Sequence, residues 1–413
     1  MLKYWKDLRH LPRPVWIVSA SQLVNRAGSM VLSFLVLYLT RERGFSAEKA
    51  GFVMFLYGLG AIVSAPAAGR LVDRMGAVPL MRASLFLSGI TLLAFPYAHS
   101  HGAIGAASIL LAIVSESFRP AAMAFIGETV VPANRKSAFA LYRLAINLGM
   151  AIGPAVGGVL ATLSFRYLFL ADGATSIAAG VVLALAALPV RRRSAPAGAH
   201  STKTRIRLTT AAHADPRFLS FLAGVLPVTI IFFQHISSMP LYIVRDLMLS
   251  PRTFGLLFSL NCLLICVFEI PLNAATAHWP HRRTLAIGAV LSGAGFGAMA
   301  FAHTAPALAV TVVIWTLGEM LFFPASAAYA TDTAPDARRG EYSGLYTMTF
   351  SVAFAIGPWA GTVVLERWGA LVLWGSVFLL GIAAAMLFVR LPEPRRHVEP
   401  EQTLPDAAGP AEI

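Results

Sequence analysis

Five charged side chains lie inside long apolar stretches of this 413-residue chain, where a charge is costly and needs a partner or water. They are Arg26, Glu116, Arg119, Glu269 and Glu319. Glu116 and Arg119 are three residues apart, so on a helix they would share a face and could form an ion pair. For Glu269 and Glu319 no basic partner is visible in the same half of the sequence. A carboxylate buried away from any cation can take up and release a proton, so we predict Glu319 as a proton carrier, with Glu116 and Glu269 as further candidates.

Polar side chains within the same stretches are candidates to line a substrate cavity. They are Asn25, Arg26, Arg119, Gln234 and His235. For Gln234 and His235 a hydrogen bond between two helices is an equal alternative. Cys262 and Cys266 lie one turn apart on an apolar stretch, where cysteines are more often small buried residues than a metal pair. We predict no metal site and no cofactor.

The elements that position these side chains follow from the composition. Hydrophobic residues make up 57% of the chain and charged residues 13%, against about 25% charged in ordinary soluble domains. This deficit excludes a soluble globular enzyme, a disordered protein and a coiled coil. The net charge of +13 does not indicate nucleic-acid binding, because the basic residues lie in short gaps between apolar stretches and form no basic face with interleaved aromatic residues.

Twelve apolar stretches have the length of a helix that crosses a bilayer, which is roughly 20 residues. They lie near residues 15–40, 47–68, 79–98, 103–125, 137–162, 166–190, 218–243, 253–277, 284–303, 306–330, 342–364 and 369–390. None alternates with a period of two, so transmembrane strands are excluded. The sequence predicts an all-α membrane protein with twelve transmembrane helices.

The loops indicate the orientation of these helices. If the N-terminus lies in the cytoplasm, most of the 33 lysine and arginine residues fall on the cytoplasmic side. Such an excess is typical of cytoplasmic loops. We predict a multi-pass protein of the plasma membrane, in a bacterium the inner membrane, with both termini cytoplasmic.

The two halves of the chain repeat each other at a constant offset of 204 residues. The matches include Tyr38 with Tyr242, Gly51 with Gly255, Pro120 with Pro324, and Gly153-Pro154 with Gly357-Pro358. Six helices per repeat give both halves the same orientation, an architecture whose substrate site lies between the halves. We predict a first six-helix bundle over residues 1–190, a cytoplasmic basic linker over 191–216, a second bundle over 217–392 and a disordered tail over 393–413.

The loop between the second and third stretches carries Gly69, Asp73, Arg74 and Gly76 in the spacing G-x-x-x-D-R-x-G. This resembles the loop signature of the major facilitator superfamily, and the likeness covers essentially the whole chain. In that family the loop latches the cytoplasmic side in the outward-facing state, so the resemblance implies a gating role for these four residues. The two basic residues that usually follow are absent here. The alternative is a basic turn without a gating role.

The fifth stretch carries Gly149, Gly153, Pro154, Gly157 and Gly158, which resembles the G-x-x-x-G-P-x-x-G-G signature of the antiporter branch of this superfamily. Glycines four apart let two helices touch backbone to backbone. The resemblance implies export, and the alternative is close packing with no bearing on transport direction. Arg119 resembles the arginine that this branch carries in its fourth helix.

Together these residues resemble twelve-helix drug:proton antiporters. The resemblance implies a secondary active transporter that exports a lipophilic or amphipathic small molecule against protons by alternating access. A proton-coupled importer of a small solute on the same fold is the alternative. A membrane-embedded enzyme or channel is a remote one, because the chain has no P-loop, no hydrolase motif and no pore ring. We expect a monomer in the lipid bilayer whose partners are the substrate and protons, with no nucleic acid.

Overall fold

The computed structural model describes residues 11–131, 134–186, 188, 212–335 and 338–392. Most of the predicted linker and the whole predicted tail lie outside these residues. The described part is built from long helices joined by short loops, as the sequence predicted. Eleven helices are long and apolar enough to cross a membrane. The last of them, Arg339–Val389, contains two crossings, because Gly369 turns the chain with φ 83° and ψ 175°.

The described residues therefore contain the twelve predicted crossings, six before the linker and six after it. They are α1 Arg13–Arg41, α2 Ala47–Met75, α3 Ala77–Tyr97, α4 His101–Thr129, α5 Arg135–Leu163, α6 Phe165–Leu185, α7 216–246, α8 Pro251–Thr276, α9 His281–Phe301, α10 Ala305–Thr333, α11 339–368 and α12 370–389. Most ends lie within a few residues of the prediction. The second helix is longer than predicted, because the polar residues up to Met75 continue it.

The residues that cap the helix N-termini follow the internal repeat. Ser46 and Ser250, which are 204 residues apart, cap α2 and α8 by accepting the backbone N–H three residues later. Ser100 and Thr304 cap α4 and α10 in the same way. Such caps satisfy donors that the first helical turn leaves open. The same local chemistry therefore starts the equivalent helices of both halves.

The contacts between the halves follow the same repeat. A Cβ added to Gly255 of α8 would meet the backbone of Gly158 in α5. A Cβ added to Gly51 of α2 would meet Thr362 in α11. Residues 51 and 255 are repeat mates, and so are 158 and 362. The two bundles thus meet along two related seams, α5 with α8 and α2 with α11.

The apolar core shows where the bundles meet and where they separate. We call the end at which α1 and α7 begin the linker end, and the opposite end the far end. One large cluster at the far end joins both bundles, with Phe34 of α1 and Met239 of α7 among its members. Towards the linker end each bundle has a cluster of its own, one around Phe125 and the other around Phe221. The bundles are therefore packed together at the far end and separate at the linker end.

Two polar contacts between the bundles also hold the far end closed. Arg367 of α11 forms an ion pair with Glu48 of α2 at 2.9 Å. Arg41 donates from Nη2 to the carbonyl of Val244 in the other bundle at 2.9 Å. These contacts cross between bundles, so the far end must lose them to open.

Candidate functional site

Helices α1 and α7 are both interrupted in mid-membrane, which the sequence analysis did not predict. In α1 one helix ends at Gly28 and the next begins at Val31. In α7 the α-helix ends at Phe232 and the chain departs from helical geometry at Ser237, with φ −132° and ψ −77°. The two interruptions occupy corresponding positions of the repeat. In transporters built from repeats, matched interruptions of this kind mark the binding site.

Asp172 of α6 caps the interruption in α1. Its Oδ2 accepts the backbone N–H groups of Met30 at 3.2 Å and Val31 at 3.1 Å. These are donors that a helix start leaves without partners, and a carboxylate there is stabilised by the helix dipole. The buried Asp172 therefore fixes the shape of α1 beside the cavity.

The glycine motif of α5 holds the interrupted helix from the other side. A Cβ on Gly149 would lie 2.6 Å from the Cβ of Arg26, and one on Gly153 would lie 3.0 Å from the Arg26 carbonyl oxygen. Gly157 faces Met30 in the same way. Pro154, with Gly158, faces α8 at Gly255. The motif thus allows α5 to approach α1 and α8 at once, and its bearing on transport direction stays a prediction.

A central cavity of about 240 Å³ lies between the bundles at the two interruptions. Its wall in the first bundle contains the charged groups and hydroxyls, which lie among apolar residues such as Leu32, Leu111 and Phe118, and its wall in the second bundle is mostly aromatic. The polar wall includes Asn25, Arg26, Ser29, Ser33, Tyr57, Ser88, Glu116, Asp172 and Ser176. The aromatic wall includes Phe232, Phe233, His235, Phe258 and Phe354. An amphipathic molecule would find a matching surface on each side.

The polar wall contains a charged group with unused hydrogen-bonding capacity. The Tyr57 hydroxyl donates to Glu116 Oε1 at 3.2 Å. Among the described residues no hydrogen-bond partner lies near the buried Nε of Arg26. Glu116 and Arg119, which the spacing suggested could pair, form no ion pair within 4.0 Å, and Arg119 is exposed outside this cavity. Arg26, like the buried hydroxyl of Ser88 in the same wall, is therefore a donor that is available to a ligand.

The aromatic wall is a connected set of rings around His235. Its imidazole stacks on Phe258 with ring centroids 5.0 Å apart and planes at 15°, and it lies 4.5 Å from the ring of Phe232. Its Nδ1 contacts the carbonyl oxygen of Phe232 at 2.6 Å. His235 is buried and lies in the cavity wall, where the sequence analysis placed it as one of two alternatives.

Gln234, the other α7 candidate, lies outside this cavity. Its Nε2 donates to the carbonyl of Gly357 in α11 at 2.9 Å, and its Oε1 accepts from the Ser238 hydroxyl at 2.8 Å. Gln234 and His235 lie in a short 3₁₀ helix, Phe233–Ile236, in which successive residues point about 120° apart, so they face different neighbours. The expectation that Gln234 lines the substrate cavity is corrected, and the alternative of a hydrogen bond between helices describes it.

Glu319 of α10 lies inside the second bundle. Its Oε2 accepts from Asn261 Nδ2 of α8 at 2.8 Å, and Asn261 also donates to the Thr316 hydroxyl at 3.0 Å. In the described part of the chain no basic nitrogen lies within 4.0 Å of this carboxylate. A small cavity beside Glu319 shares Phe232 with the central cavity. Phe232 therefore lies between the central cavity and Glu319.

Glu269 of α8 has a basic partner that comes from the other bundle. Its Oε2 lies 2.7 Å from Nη2 of Arg143 in α5. The carboxylate side chain is 15% exposed and the arginine side chain 61% exposed. Sequence spacing indicates partners only among nearby residues of the same half, so this ion pair between the two halves was not predicted.

The loop motif lies at the linker end. Helix α2 runs to Met75, and Gly76 alone joins it to α3 with φ 88° and ψ 162°, a conformation that favours glycine. Asp73 and Arg74 are exposed there. A Cβ on Gly69 would meet no atom within 4 Å. The gating role of these residues stays a prediction.

Comparison of the sequence with the profiles of known protein families identifies the family of this chain. The sequence profile of the Major Facilitator Superfamily matches residues 18–247 and 235–410, and so matches each half in turn. The chain belongs to the Major Facilitator Superfamily. It is a multi-pass membrane transporter, not an enzyme, as the sequence predicted.

Relatives in this superfamily are distant. The chain is 24% identical to the MFS-type transporter YqjV of Bacillus subtilis (strain 168), over 95% of this chain and 94% of that protein. It is 22% identical to multidrug resistance protein MdtH of Aeromonas salmonicida (strain A449), over 84% of this chain and 85% of that protein. It is 21% identical to a Na(+), Li(+), K(+)/H(+) antiporter of Planococcus maritimus, over 81% and 85%.

Solved structures share the fold. A POT family transporter in complex with 5-aminolevulinic acid matches with a TM-score of 0.74 and 16% identity, over 92% of this chain and 95% of that one. A D-xylose-proton symporter matches with a TM-score of 0.73 and 16% identity, over 92% and 98%. At these identities the likeness shows the fold alone.

Proposed function

We propose that this transporter exports a lipophilic or amphipathic small molecule in exchange for protons by alternating access. The central cavity carries the proposal. It lies between the bundles at the matched interruptions of α1 and α7, is closed by the far-end contacts, and offers one polar and one aromatic wall. A cavity with this division suits a molecule with an apolar body and a polar group.

Proton exchange and export are supported by the α5 motif and by two relatives. The motif resembles that of antiporters, and its residues pack directly on the interrupted helix that carries Arg26. One relative is named a multidrug resistance protein and another a cation/H+ antiporter. These observations favour exchange over the alternative of proton-coupled import.

Glu319 is our choice for the proton carrier. A coupling group must hold a proton in one part of the cycle and release it in another. Glu319 is hydrogen-bonded to the neutral Asn261, whereas Glu269 is paired with Arg143. Glu116 lines the same cavity as Arg26. A substrate that displaces Phe232 would disturb the site of Glu319 from the central cavity.

The excess of basic residues in the loops at the linker end supports a cytoplasmic location for that end. With that orientation, the separation of the bundles towards the linker end corresponds to an inward-facing state. In the state in which the linker end closes, Asp73 and Arg74 would latch it. Because the relatives named above are bacterial, we assign the protein to the bacterial inner membrane.

The experiment uses the purified protein in proteoliposomes that contain a pH-sensitive dye. Amphipathic fluorescent dyes and drugs of both charges are added one at a time, and proton movement is recorded. We expect a subset of compounds to drive proton flux in wild type. Glu319→Gln should abolish this flux while leaving compound binding intact. Glu128→Gln, at an exposed carboxylate outside the cavity, serves as the matched control and should keep the flux. Full proton flux in Glu319→Gln would remove Glu319 from the role.

A further inference from the structure

The seam between α5 and α8 carries, on the linker side of its glycine contact, an ion pair with no counterpart at the equivalent positions of the related seam. At the far end Gly158 lies against Gly255, and nearer the linker end Arg143 lies 2.7 Å from Glu269. Between them is a small apolar cluster of Met150, Ala151, Phe258 and Cys262. The seam therefore runs from a tight backbone contact to a charged contact, and both contacts join the two bundles.

The repeat supplies an internal comparison. Arg143 and Glu269 correspond, at the offset of 204, to Thr347 of α11 and Ala65 of α2 in the sequence. Threonine and alanine cannot form an ion pair. The glycine contact is therefore present in both seams, whereas a charge pair at this position belongs to one. The ion pair of the other seam, Arg367 with Glu48, lies at the far end. The packing that both seams need does not explain a charge pair at this position.

The groups that face Glu269 are few. From α5 the charged group is Arg143. From α10 it is Glu319, which interacts electrostatically with Glu269. On α8 itself, Cys266 interacts electrostatically with Glu269. From α7 His235 stacks on Phe258, three helical turns away. Arg143 is the cation within 4.0 Å among the described residues.

We propose that Arg143 is a positioning residue that makes the protonation of Glu269 depend on how the two bundles are placed. This inference rests on the proposed function, since it concerns the proton of the exchange. In the state described here Arg143 compensates the charge of Glu269. The pair joins two bundles that move relative to each other, so its geometry cannot be the same in both states of the cycle.

The direction of the coupling follows from reciprocity. The paired geometry favours the ionised carboxylate, so a proton on Glu269 disfavours the paired geometry by the same factor. Protonation forms an O–H bond with a proton taken from water, and return of Arg143 sends that proton back to water. Acid should therefore deplete the linker-open state. The carboxylate of Glu319, close by on α10, experiences the change in charge.

The test measures the distance between the bundles in the intact protein in lipid nanodiscs, without substrate or gradient. Spin labels are placed at Val131→Cys, just beyond the end of α4, and at Thr331→Cys in α10, both exposed at the linker end. The native Cys262 and Cys266 are replaced by serine. Pulsed electron resonance then gives the distance distribution as the pH is lowered.

In wild type the distance population seen at neutral pH should fall on acidification, with the ratio of states changing by roughly fivefold or more, the lower end of typical coupling. In Arg143→Gln and in Glu269→Gln, the ratio of the two states at neutral pH should already equal the ratio that wild type reaches in acid. Neither variant should respond further to pH. Arg143→Lys should keep it. Arg217→Gln, which removes an exposed positive charge away from the seam, should behave as wild type.

A distance distribution that does not change with pH in wild type would overturn the proposal, and so would a full pH response in Arg143→Gln. Because no substrate is present, either result is separate from the test of export. A protein that exchanges compounds for protons but shows no pH-dependent distance would refute the role of Arg143 alone. A protein with the pH-dependent distance but no exchange would refute the proposed function alone.

Discussion

Gly255→Ala should shift the transporter away from the state in which its far end is closed. The added Cβ would lie against the carbonyl oxygen of Pro154 and 3.1 Å from the Cα of Gly158. Both obstacles are backbone, so α5 must move as a whole to make room. Overpacking of this kind costs about 1–3 kcal/mol. That energy corresponds to a change of about 5- to 150-fold in the ratio of far-end-closed to far-end-open molecules.

Spin labels at Tyr97→Cys and Phe301→Cys measure this ratio. These repeat mates are 66% and 78% exposed at the far ends of α3 and α9, one in each bundle. Gly127→Ala and Gly344→Ala are the matched controls, because a Cβ at either helical glycine would meet no atom within 4 Å. They should leave the distances unchanged. A ratio in Gly255→Ala within twofold of wild type would refute the close-contact account of the seam.

Three further outcomes are expected. Asp73→Asn should slow transport while leaving the amount of folded protein in the membrane unchanged, and an unchanged transport rate would favour the alternative of a simple basic turn. Asp172→Ala leaves the N–H groups of Met30 and Val31 without their acceptor, so unfolding should become easier by about 1–3 kcal/mol, and a thermal midpoint equal to that of Ser176→Ala would contradict the capping role. Glu319→Gln should bind compounds with an affinity within a few-fold of wild type, measured by equilibrium dye binding, and lost binding would indicate a structural role.

The fold could be predicted from the sequence because a bilayer constrains a chain strongly. Each crossing needs a long apolar stretch, and the chain shows twelve of them, so helix number and most helix ends follow directly. The constant offset predicted two bundles with equivalent contacts, which Gly51 and Gly255 now show. Where polar residues continued a helix, as they do up to Met75, the apolar pattern ended too early.

The parts of the site that the sequence did not predict depend on contacts between distant residues. Helical spacing shows only neighbours three or four residues away. It therefore suggested an ion pair between Glu116 and Arg119, and it could not suggest the ion pair between Glu269 and Arg143. The interruption of α1 had one local signal, the Gly28-Ser29 pair within an apolar stretch. Its cap, Asp172, comes from α6 and becomes apparent only in the folded chain.

The direction of coupling between substrate and proton tests the central claim most directly. A compound that drives proton movement is added to proteoliposomes whose interior is more acidic than the medium, and its accumulation is followed. Exchange predicts that protons leaving the vesicles drive the compound inwards, whichever way the protein is inserted. With the gradient reversed, exchange predicts no accumulation. Accumulation only when the medium is the more acidic side would mean that compound and protons travel together, and would contradict the proposal of proton-driven export.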